Sequence, residues 1–180
     1  MKELSLHILD IAKNSVKAKA TLVEIIIEEN TAENFLAVEI TDNGTGMSEE
    51  FLKKVKDPFS TTRTTRKVGM GIPLFTLAAE QCGGGLSIES EPGEGTRLFA
   101  DFVYDHIDRA PLGDMAGTLK TLICGSPDID FLYRHTKDGR SFLMDTREIR
   151  KVLEGVPLDN PEVLEWIGGY IKEGLSEINI

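Results

Sequence analysis

The chain has 180 residues, 41% of them hydrophobic and 28% charged, which suffices for one core, or one core and a small extension. Thirty acids against 20 bases leave a net charge of −10, which argues against a nucleic-acid surface. No apolar run approaches the roughly 20 residues of a membrane helix. The amphipathic, acid-containing N-terminus is not a signal peptide, so a cytoplasmic protein without a membrane segment is expected. Cys82 and Cys124 stand far apart and outside any CxxC pair. They read as two buried free thiols rather than as a disulfide or a zinc site.

Residues 4–19 have the spacing of a helix, with Leu6, Leu9, Ala12 and Val16 as the apolar stripe. A second stripe carries His7, Asp10, Asn14 and Lys17, three and four residues apart and therefore on one face. Such a stripe is either a solvent face or the wall of a metal-phosphate site. Two strands follow, TLVEIIIEE (21–29) and FLAVEIT (35–41), rich in β-branched residues and joined by the turn NTAEN. Asp42-Asn43-Gly44-Thr45-Gly46-Met47 comes next, with two glycines that let the backbone bend and approach a ligand. Ser48 then caps a short helix, SEEFLKKV.

Residues 53–67 hold Lys53, Lys54, Lys56, Arg63, Arg66 and Lys67 against Asp57. In an acidic chain this is either a solvated loop or a surface for a local anion. Residues 56–68, KDPFSTTRTTRKV, read as a loop. Gly69-Met70-Gly71-Ile72-Pro73-Leu74 opens the helix PLFTLAAEQC, with Pro73 at its first position and Gly83, Gly84 and Gly85 at its end. The free N–H groups at its start suit phosphate. LSIES (86–90) and TRLFADFVY (96–104) form a hairpin around EPGEG.

This order predicts an α+β fold, one mixed sheet with helices on one face. Residues 105–117 read as a linker. IDFLYRH and SFLMD make a second hairpin, and residues 146–153 and 161–178 are helical. Residues 118–180 are expected to form a small α/β appendage for partner docking or dimerisation. The stripe Val163, Ile167, Tyr170, Ile171 and Ile178 reads equally as that appendage's own core.

Four boxes occur in order: Asp10-x-x-x-Asn14-x-x-Lys17, Asp42-x-Gly44-x-Gly46-Met47, Gly69-x-Gly71-Ile72-x-Leu74 and Gly93-x-Gly95-Thr96. Together they resemble the GHKL superfamily of sensor histidine kinases, gyrase, chaperone and mismatch-repair ATPases, over residues 4 to about 103. The resemblance implies a two-layer α/β sandwich of the Bergerat type over residues 1–104 and binding of ATP with Mg²⁺. It assigns magnesium to Asn14, the phosphates to Lys17, and the adenine amino group to Asp42, supported by Thr96. Gly44, Gly46 and Met47 would let the backbone pass the adenine. Gly69, Met70, Gly71 and Ile72 would lie on the phosphate side. The lid over the nucleotide falls on residues 56–68, with Phe59 and Arg63 in its kinase-like PFSTTR wording.

Asp10 stands where the ATPase branch has Glu, and is the candidate general base. No helical hairpin with a phosphoacceptor His is expected before this domain, since 13 residues precede Asn14. The implied activity is phosphotransfer from ATP to a partner protein. The alternative is a slow ATPase or switch whose ATP-ordered lid regulates a partner, with a homodimer among the assemblies considered.

Overall fold

A computed structural model describes residues 1–57 and 70–179. In chain order the elements are α1 (Leu4–Lys17), β1 (Leu22–Asn30), β2 (Phe35–Asp42), α2 (Glu49–Lys56), α3 (Gly71–Gln81), β3 (Gly85–Glu91) and β4 (Gly95–Val103). They are followed by α4 (Met115–Gly125), β5 (Asp130–Lys137), β6 (Arg140–Asp145), α5 (Thr146–Leu153) and α6 (Pro161–Ile178). The six strands form one mixed sheet, ordered β3-β4-β2-β1-β5-β6. Only β1 and β5 run parallel. The expected α+β architecture is present.

Period-two alternation decides which sheet face is covered. Val23, Ile25 and Ile27 of β1, Leu36, Val38 and Ile40 of β2, and Leu98, Ala100 and Phe102 of β4 are buried. The opposite face is mixed: Glu24, Glu28, Glu39 and Asp101 stand among Ile26, Ala37 and Phe99, and there Arg97 bridges Glu39 and Glu89. The helix α1 packs on β2 and buries Leu4, Ile8, Ile11, Ala12 and Ser15. This corrects the phase read from the sequence. Leu6 is 41% exposed, whereas His7 of the polar stripe is buried. Because α1 also packs on α3 and α4, apolar residues lie nearly all round it, and periodicity alone does not single out the sheet side.

Residues 118–180, expected as a small α/β appendage, extend the same sheet. The strand β5 pairs along β1 from Leu22↔Asp130 to Glu29↔Lys137, and Leu119, Ile123, Phe131 and Tyr133 are buried with Ile8 and Ile25 in one cluster. Nor do residues 105–117 stand off as a linker. The carbonyls of Pro111 and Leu112 accept from the Leu4 and Ser5 N–H groups at 2.9 and 2.8 Å. They thereby satisfy donors that the start of α1, without a side-chain cap, leaves open.

Where β1 ends, Glu29 faces inward. His135 Nε2–H donates to it at 2.6 Å, and the Tyr133 hydroxyl lies 2.9 Å from His135 Nδ1, within hydrogen-bond reach. Burial pushes the Glu29 carboxyl up, but the His135 hydrogen bond and charge bring it below its ordinary value. Both cysteines are free; Cys82 is buried but Cys124 is exposed, which corrects the expectation of two buried thiols. Among the described residues no helix is long and apolar enough to cross a membrane.

Candidate nucleotide site

The last residue of β2, Asp42, stands beside Thr96 of β4 in the sheet register. Its carboxylate is held from two sides. The Ser15 hydroxyl of α1 donates to Oδ2 at 2.5 Å, and the Gly44 N–H donates to Oδ1 at 2.9 Å. The next residue, Asn43, accepts from the Thr21 and Leu22 N–H groups and pins the turn to the start of β1. Asp42 is only partly buried, so its carboxylate retains acceptor capacity toward open space.

The glycine loop threads between α1 and the β3–β4 turn. Thr45 N–H donates to the Ala18 carbonyl at 2.8 Å, and Gly93 N–H to the Thr45 carbonyl at 2.7 Å. Gly46 has φ +67°, and a Cβ there would stand 1.9 Å from the Glu91 carbonyl oxygen. No other residue fits that approach without moving the backbone.

Ser90 completes this wall. Its hydroxyl accepts from Met47 N–H at 2.8 Å, donates to the Gly95 carbonyl at 2.8 Å, and lies 2.9 Å from Thr96 Oγ1. A hydroxyl has one proton. With that proton on Gly95, Thr96 is the donor to Ser90, and the lone pairs of Thr96 remain as acceptors. Thus Asp42 and Thr96 both offer acceptors from adjacent strands, which suits an amino group.

Asn14, Ser15, Lys17, Asp42, Thr45, Gly46 and Thr96 line a cleft of about 340 Å³ together with the apolar Ile11, Ile40, Met47, Phe51, Val55, Ile72 and Leu98. A slot with apolar walls and a few placed polar groups is the common form of a small-molecule site. Asn14 and Lys17 belong to α1, whereas Ile72 lies in the first turn of α3. Gly71, the first residue of α3, packs against Asp10: a Cβ on Gly71 would stand 3.3 Å from the Asp10 Cβ. The positive end of the α3 dipole is therefore close to α1's polar residues.

The sequence-predicted residues Asn14, Lys17, Asp42, Gly46, Met47, Ile72 and Thr96 meet in this cleft. Gly44 sits behind it as a donor to Asp42. Asp10 touches Gly71 one helical turn from Asn14 without lining the cleft, and Met70 is 69% exposed at the start of α3. Phe59, Arg63 and Gly69, with most of the expected lid, lie outside the described residues. Of the basic stretch, Lys53 and Lys54 pair with Glu49 and Glu50 within α2. Thr96 bonds Ser90, and Asp42 accepts hydrogen bonds from Ser15 and Gly44. Sequence reasoning missed Ser15 and Ser90. Ser15 had a signal, since it shares the core-facing stripe with Leu4, Ile8 and Ile11; Ser90 had only its place at the end of a strand.

Residues 2–105 match the family model described as histidine kinase-, DNA gyrase B-, and HSP90-like ATPase. The chain is similar to a putative sensor protein of Shewanella frigidimarina, with 30% identity over 54% of this chain and 15% of that protein. It is similar to sporulation kinase C of Bacillus subtilis, with 30% identity over 49% of this chain and 20% of that protein. Against the sensor protein SrrB of Staphylococcus aureus the identity is 37%, over 41% of this chain and 13% of that protein. The chain thus spans a fifth or less of these relatives. The structure is similar in fold to the Aquifex aeolicus MutL ATPase domain complexed with ADP: TM-score 0.52, 16% identity, 86% of this chain and 70% of that one. A DNA repair protein's N-terminal domain shares the fold at TM-score 0.54 and 15% identity, over 81% of this chain and 53% of that one.

Proposed function

This chain belongs to the family of histidine kinase-, DNA gyrase B-, and HSP90-like ATPases, and we propose that it binds ATP with magnesium in the cleft and passes the γ-phosphate to a partner protein. ATP binding follows from the family. The observation that carries the adenine end is the grip on Asp42 by Ser15 and Gly44. A fixed carboxylate is a pure acceptor, and with the Thr96 lone pairs beside it the pair favours adenine's amino group over guanine's carbonyl.

The phosphate end rests on α1 and α3. Asn14 offers one side-chain oxygen and Lys17 one cation, and the start of α3 faces the same side. Among the described residues no three His, Cys, Asp or Glu side chains cluster as a metal cage. That suits magnesium, which keeps waters and phosphate oxygens as most of its shell and takes few protein ligands. Bound there, it would neutralise charge on the triphosphate. Asn14 would supply one ligand oxygen, Lys17 would face the phosphates, and Asp10 would accept the proton of the attacking group as the γ-phosphorus bond to ADP breaks. Similarity to sporulation kinase C supports transfer over plain hydrolysis.

Incubation with γ-radiolabelled ATP and a cell extract of the source tests this reading. Label on a protein, lost with Asp10→Asn, is expected, with turnover falling by about 10²–10⁴-fold and ATP affinity retained. Free phosphate without labelled protein would make the chain an ATPase. Neither product would leave binding alone.

A further inference from the structure

The helix α6 carries two apolar stripes, and the core uses only one. Val163, Ile167, Ile171 and Ile178 are buried. Trp166 and Tyr170, one turn apart, are 56% and 38% exposed, with rings stacked at 5.3 Å and 4°. Facing them on α5 stand Ile149, Leu153 and Val152, the last 81% exposed. The two helices enclose a groove of about 570 Å³ that shares no lining residue with the nucleotide cleft.

The charged residues lining this groove are Asp145, Glu148 and Glu162, all acidic. Asp145 caps α5 and pairs with Arg147 at 2.8 Å. Glu148 pairs with Lys151, but both ends are about 70% exposed, so that pair is weak and readily exchanged. Among the described residues Glu162 makes no ion pair.

We propose that the α5–α6 groove docks an amphipathic segment of a partner protein, with aromatic or aliphatic anchors on its buried side and Lys or Arg at its flanks. The floor offers few convergent polar groups to orient a small molecule. The Tyr170 hydroxyl is already engaged, donating to the Leu143 carbonyl at 3.3 Å. Rigid Trp and Tyr plates in an apolar groove between helices suit the evenly spaced side chains of an amphipathic helix. The acidic rim selects a basic partner and disfavours a second copy of this chain, whose net charge is −10.

Trp166 is the chain's single tryptophan, so its fluorescence reports the groove alone. The probes are synthetic peptides with apolar residues at helical spacing, one panel flanked by Lys and one by Glu, added to the full chain. A Lys-flanked peptide should shift Trp166 emission to shorter wavelength, saturably, and less so in high salt. The double variant Glu148→Lys/Glu162→Lys, or Val152→Asp alone, should weaken this roughly tenfold or more, while ATP affinity stays at the wild-type value. The proposal is overturned if no Lys-flanked peptide moves the emission, or if Glu-flanked peptides act equally. It is also overturned if the emission shifts with protein concentration alone, which would place a second copy in the groove.

Discussion

Ser15 is where the account of the cleft is most exposed to a single substitution. It is 3% exposed, and its hydroxyl donates to Asp42 at 2.5 Å. A hydrogen bond to a charged acceptor contributes about 1.5–3 kcal/mol. Because Asp42 is only partly buried, water can replace part of the donor's effect after Ser15→Ala. The net loss in ATP binding is then about 1–2 kcal/mol, or roughly 5–30-fold in Kd. The fold should persist, because one small buried oxygen is removed and the other contacts of α1 remain. A melting temperature within about 4 °C of wild type is expected for a domain of this size. Calorimetric titration with magnesium-ATP and a thermal melt on the same sample read both effects. A folded Ser15→Ala protein with wild-type ATP affinity would refute the argument that a fixed Asp42 carboxylate holds the base.

Gly46→Ala should cost more than about 3 kcal/mol, because it combines positive φ with a backbone clash; an unchanged denaturant midpoint would contradict this. His7 stacks on Phe75 at 5.0 Å with Nδ1 buried and unpaired. Burial, then the N-terminal charge, hold its pKa below 6.5, and Asp10 opposes them. The folded state therefore binds fewer protons than the unfolded one below that value, and stability falls as pH drops through the window beneath 6.5. His7→Phe should flatten the stability slope between about pH 7 and 5, measured by denaturation at each pH. A chain ending at Tyr104 would lose the β5 partner of β1 and the carbonyls that receive the start of α1. It should fail to unfold cooperatively, whereas a sharp transition with intact ATP binding would show that residues 1–104 stand alone.

Local signals carried the sequence reading far. The helices α5 and α6 lie where capping and punctuation put them: Asp145 and Asn160 accept from the first N–H groups, and Pro161 opens α6. The four boxes placed most of the cleft: Asp42, Gly71 and Gly95 sit at element ends, where glycine and Asp have few other uses, and Asn14 and Lys17 share one face of α1. Non-local structure was less legible. Pairing of β5 with β1 joins residues more than a hundred positions apart, and nothing in either strand's pattern names its neighbour. The helix α4, absent from the sequence reading, has the weak helix formers Gly117, Thr118, Thr121 and Cys124 behind its Asp114 cap. Burial of Leu119, Leu122 and Ile123 offsets that propensity. Ser15 escaped notice because a hydroxyl on an apolar stripe looks like a tolerated small residue until Asp42 is placed beside it.

The most direct measurement is the affinity of the wild-type chain for magnesium-ATP against magnesium-GTP, repeated with Asp42→Asn. With Asn, one side-chain oxygen still accepts from Gly44, and the Ser15 hydroxyl can turn to accept from the new amide, so the fold is kept while the charged acceptor for adenine is lost. The account predicts ATP binding, far weaker GTP binding, and a loss of about 10–150-fold for ATP in Asp42→Asn. Equal affinity for both nucleotides, or an Asp42→Asn protein that folds and binds ATP as wild type does, would contradict it.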